Sequence, residues 1–80
     1  MGKTTRTAWQ IMQLRNEIES HHHPRMDVTV LSLDVGGESV IAHIERDGTW
    51  EIKNTVGGRA GALALRAVTD EAMARARRIA

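Results

Sequence analysis

Two alternating apolar runs, Val40, Ala42, Ile44 and Trp50, Ile52, are joined by Arg46-Asp47-Gly48. An Asp-Gly pair between period-two runs is the strongest short-range hairpin signal a chain can carry. Its length sets the register. A two-residue loop would place Trp50 against Glu45, on the wrong face of the sheet. A three-residue loop with Gly48 left-handed, closing a type I turn and a G1 bulge, places Trp50 against Ile44 and Ile52 against Ala42. The three-residue loop is therefore expected.

The remaining segments arrange themselves around this hairpin. Met26 to Asp34 is rich in aliphatic and β-branched residues and reads as a first strand, which Gly36-Gly37 turns back into Glu38 to Arg46. Thr49 to about Thr55 is the third. Ahead of them, Ile11, Leu14 and Ile18 recur at helical spacing, with Thr7 and Gln10 placed as a capping box, Thr4 or Thr5 as an earlier start, and Pro24 as the stop. His21 to His23 then fall near the C-terminal end of that helix. After Gly57-Gly58, a last helix carries Gly61, Ala64, Leu65, Val68, Ala72, Ala76 and Ile79 on one stripe; Thr69-Asp70-Glu71 resembles a fresh N-terminus and marks a candidate break. The expected fold is α+β, α-β-β-β-α, a three-stranded antiparallel meander with two long helices, forming one domain over residues 1–80. If Val28 and Val30 share a face with Val40, Ala42 and Ile44, then Leu31, Leu33 and Ile41 form a second apolar face. A β-bulge, a second helix layer, a homodimer or another partner would each cover it.

With 80 residues and 41% apolar content, the core is thin. The absence of cysteine rules out disulfides and thiol nucleophiles and suits a reducing cytoplasm. No run approaches the roughly 18 apolar residues of a membrane span, so a soluble cytoplasmic protein is expected. The net charge of +1 conceals an acidic middle between basic ends: residues 1–25 carry +2, residues 26–53 carry −4 and residues 59–80 carry +3. That pattern does not fit a uniformly basic nucleic-acid binder.

Few residues suggest chemistry. His21, His22, His23 and His43 are metal-ligand types, but three adjacent side chains diverge, and no physiological metal is expected. Ser20, Ser32 and Ser39 lie in helix-end or strand positions without an evident base, so neither catalysis nor a cofactor is expected. Gly57-Gly58-Arg59-Ala60-Gly61 lacks a phosphate-loop pattern and reads as helix entry. Trp9 lies off the apolar stripe; it is either an interface anchor or a cover for the sheet edge.

The α-β-β-β-α order resembles a double-stranded-RNA-binding domain. That family's lysine cluster at the last helix is represented here only by Arg59, and its Gly-Pro-containing first hairpin by the acidic Asp34-Val35-Gly36-Gly37-Glu38. Residues 44–73, with Glu45-Arg46-Asp47-Gly48, Gly57-Gly58, the alanine-rich Gly61 to Ala67, and Ala72-Met73, are similar to a family of small phage anti-CRISPR proteins of type I systems. That resemblance implies a non-enzymatic inhibitor that binds a Cas subunit. An acidic surface facing a basic, nucleic-acid-handling complex suits such a role. The expected contacts are Asp34, Glu38, Glu45, Asp47 and Glu51, with Trp9 as anchor. The alternative is nucleic-acid binding through Arg59, Arg66, Arg75, Arg77 and Arg78.

Overall fold

The computed structural model describes the backbone of residues 3–79 and the side chains of residues 5–79. The elements run α1 (Lys3–Asn16), β1 (Glu19–His23), β2 (Val28–Val35), β3 (Glu38–Glu45), β4 (Trp50–Asn54) and α2 (Gly58–Ile79). The class is α+β with a helix at each end, and the antiparallel sheet has four strands in sequential order. The additional strand is the segment expected to finish the first helix.

α1 takes the earlier of the two expected starts, near Thr4 and not at the capping box, so Thr7 and Gln10 lie inside it. It closes at Asn16 through short bonds from the Glu17 N–H to the Leu14 carbonyl (3.0 Å) and from the Ile18 N–H to the Arg15 carbonyl (3.3 Å). Pro24 therefore does not stop the helix. It follows β1 in the turn, where no ladder N–H is required. The histidine string forms most of an edge strand, with Glu19–His23 paired against Ser32–Val28 without a shift. The physical reason is tertiary. The outer backbone groups of β2 need partners, and an extended segment supplies them where a continued helix would not.

The β3–β4 loop has the expected three residues. Ile44 opposes Trp50 and Ala42 opposes Ile52; the Gly48 N–H donates to the Glu45 carbonyl at 3.0 Å, and Gly48 has φ 91°.

β2 and β3 pair without interruption, Leu31 opposite Ala42 and Leu33 opposite Val40. This corrects the expected faces: Leu31 and Leu33 are fully buried in the main core with Ile11, Val40, Ala42, Ile44, Ala64, Ala67, Val68 and Ala72, and are unavailable to a dimer. Strict alternation puts Val28, Val30 and Ile41 on the opposite face. Both helices contribute to the core on the first face, making two layers. Val28 and Val30 are nonetheless buried, flanked in register by His23 and Glu45 and by His21 and His43 respectively.

α2 continues unbroken through Thr69. Its buried side is Gly61, Ala64, Ala67, Val68, Ala72 and Ala76, whereas Ile79 is exposed. Small side chains let this helix lie close to the sheet. At its start, a Cβ on Gly61 would fall 1.9 Å from the Val56 carbonyl oxygen, so only glycine permits that approach.

Candidate functional site

Trp9 projects from α1 with 61% of its surface exposed, on the side away from Ile11. It forms one wall of an open groove of about 450 Å³. Leu14 from α1, Val35 from the end of β2, and Ala60 and Leu63 from the start of α2 supply the apolar lining. Gln10, Gln13, Glu17 and Asp34 supply the polar part. Sequence reading singled out Trp9 and Asp34, and both line this groove. It missed Glu17, Leu14 and Leu63; the last two read as ordinary helix positions, and only tertiary packing makes them neighbours.

The five expected acids do not form one surface. Asp34 and Glu38 flank the β2–β3 turn, and Glu38 opposes Val35 in register. Glu45, Asp47 and Glu51 cluster at the far end of the sheet, roughly 20 Å away at about 3.3 Å per strand residue. Glu45 and Glu51 line a separate groove of about 240 Å³ with Thr49 and Trp50.

Two of the distal acids already have partners. Asp47 accepts the Thr49 N–H at 3.0 Å and its hydroxyl at 2.7 Å, and these bonds hold its carboxyl below the ordinary aspartate value. It is a turn-forming side chain. Glu51 is held low by hydrogen bonding and charge from Lys53, with a small further contribution from His43. Among the described residues Asp34, Glu17, Glu38 and Glu45 make no ion pair.

The arginines divide similarly. Arg75 donates to Glu71 Oε2 (2.8 Å) and Ser20 Oγ (3.0 Å), while Arg15 reaches Glu71 Oε1 at 2.9 Å. Burial alone would raise the Glu71 carboxyl; the bonds from Arg75 and Arg15, reinforced by their charges, outweigh it and leave it below its ordinary value. This network ties α1, β1 and α2 together, and nothing in the local sequence foretells a contact 56 residues apart. Arg66 pairs with Asp70 at 3.6 Å, and Arg77 reaches the Met73 carbonyl at 3.4 Å. Arg59 and Arg78 are exposed and make no ion pair among the described residues.

The histidines point to both faces of β1. His21 and His23 share the face of Val30 and Val28, whereas His22 faces the other way and meets Asp27 at 3.3 Å. His43 Nδ1 is screened from solvent and has no hydrogen-bond partner among the described residues. Among the described residues no three metal-ligating side chains converge, and no helix is long and apolar enough to cross a membrane. No known protein family matches the chain, and no curated protein or solved structure shows a significant match.

Proposed function

We propose that this chain is a non-catalytic protein-binding module whose contact surface is the Trp9 groove and whose partner presents a basic surface with an apolar side chain at its centre. The carrying observation is the exposed Trp9 beside an apolar-lined groove bordered by the carboxylates of Glu17 and Asp34. A rigid aromatic surface at the rim of a pocket is the usual form of an interface anchor. Uncompensated carboxylates beside it favour cationic partners and disfavour acidic ones. The similarity of residues 44–73 to small type I anti-CRISPR proteins gives the most concrete version: a phage or mobile-element inhibitor of a host nucleoprotein complex such as a CRISPR-Cas surveillance complex. Of the five acids singled out from the sequence, Asp34 lines the groove and Glu38 lies next to it, opposite Val35 in register; Glu45, Asp47 and Glu51 then play no direct part.

Affinity capture from bacterial lysate, with and without nuclease, tests this reading when the wild type is compared with Trp9→Ala. The expected result is a nuclease-resistant protein partner whose affinity falls about 30-fold or more in the variant, the scale of an interface hot spot, with an unchanged circular dichroism spectrum. Undiminished capture by Trp9→Ala would refute the assignment. Loss of every partner after nuclease would transfer it to nucleic-acid binding through Arg59, Arg66, Arg77 and Arg78.

A further inference from the structure

The two edges of the sheet differ in how they meet solvent. On β4 the register skips between Ile41↔Asn54 and Ala42↔Ile52, leaving Lys53 in a bulge. A bulge and a lysine both block the addition of another strand. β1 has neither. All five of its residues pair with β2 without a shift, and the first four are exposed. Its outer side is a short, regular row of backbone groups open to a further strand.

The side chains of β1 are self-complementary. In an antiparallel pair of β1 strands centred on His21, the two His21 side chains face each other at the axis, Glu19 of each copy opposes His23 of the other, and Ser20 opposes His22. Glu19 and His23 share the helix-free face, being paired with Ser32 and Val28. The Met26 N–H donates to His23 Nδ1 at 3.2 Å, which leaves the ring proton on Nε2 as a donor. Glu19 makes no ion pair among the described residues and offers the matching acceptor. Centring the pair on His22 instead would likewise set imidazole against imidazole, and it would move Glu19 opposite Arg25, beyond Pro24 in the turn, losing both Glu19–His23 contacts. Centring it on Ser20 would bring Ile18, a core-packed residue, into the ladder.

We propose that β1 is the pairing edge for a second copy of this chain, forming one continuous antiparallel sheet across a two-fold axis at His21 with the helices of both copies on the same side. The pairing uses no residue that lines the Trp9 groove, and it needs no partner protein.

Sedimentation velocity of the purified full chain over a concentration series, in EDTA, provides the test. A monomer–dimer equilibrium is expected. Glu19→Lys removes two symmetry-related contacts, each an exposed pair contributing a factor of about three, and raises the dissociation constant about tenfold. Glu19→Gln, which keeps an oxygen acceptor, falls between the two. Hydrogen exchange should slow with concentration in β1 and not in β4. A chain that stays monomeric throughout, a dimer unaffected by Glu19→Lys, or protection that builds up elsewhere would overturn the proposal. So would a dimer seen only when EDTA is omitted, which would assign association to metal bridging by the histidines. Trp9→Ala should leave this equilibrium unchanged, so failure here is separable from failure of the binding-module reading.

Discussion

Replacing Gly61 with alanine tests how closely α2 is held to the segment that connects it to β4. The added Cβ would lie 1.9 Å from the Val56 carbonyl oxygen and 2.5 Å from its carbon, about 1 Å inside the nearest approach that real side chains show. The obstacle is backbone, so no rotamer change relieves it, and either the helix start or the Val56 peptide must move. Overpacking of this kind costs about 1–3 kcal/mol, and a backbone clash belongs at the upper end. Alanine in place of helical glycine returns about 1 kcal/mol. A net loss of about 2 kcal/mol lowers the melting temperature of a domain this size by about 8–16 °C. Gly57 provides the matched control. A Cβ there meets nothing within 4 Å, and its φ lies outside the left-handed region. Gly57→Ala is therefore expected to be neutral or to stabilise by about 0.4–1 kcal/mol. Thermal and urea unfolding monitored by circular dichroism measure both. A Gly61→Ala variant as stable as the wild type, or a Gly57→Ala variant that loses as much, would refute the close-approach argument.

Glu71→Gln removes the charge that Arg15 and Arg75 share, at a side chain only 16% exposed, and is expected to cost about 1–3 kcal/mol. Because the folded-state pKa of Glu71 lies below its ordinary value, its contribution is complete above the ordinary glutamate range and is lost as pH falls through the depressed folded value. The wild type should accordingly lose melting temperature on acidification more steeply than Glu71→Gln, and parallel slopes would count against the network. Leu33→Ala should destabilise by about 2–5 kcal/mol, as at a core position that is 2% exposed. A cost near zero in urea unfolding would restore Leu33 to an open face.

The hairpin around Gly48 was legible because loop length, glycine and alternation all constrain the same register. Class and helix–sheet order followed from similar local signals. β1 was not legible, because Glu19–His23 contains no apolar alternation; it is a strand only because β2 offers backbone partners. Its misassignment also placed the histidines at a helix end. The faces of β2 failed for a related reason. Val28, Val30, Leu31 and Leu33 are all apolar, so hydrophobicity alone cannot say which alternate set meets the helices, and only the register against β3 decides.

At the candidate site, the sequence identified side chains more readily than their grouping. Trp9 stood out because it lies off the Ile11, Leu14, Ile18 stripe, and the structure leaves it exposed. The acids were grouped by their proximity along the chain, but the extended strand β3 carries Glu38 and Glu45, its two end residues, to opposite ends of the sheet. Asp34 joins Trp9 because α1 and α2 bring Leu14 and Leu63 to the end of β2, a convergence that depends on helix packing. Charge counting likewise treated all five arginines alike. Arg75 is bound to Glu71 and Ser20, so its removal would be felt first in the joint between the helices and β1. Arg59 and Arg78, which make no such joint among the described residues, are where a purely electrostatic role would be read without that structural cost.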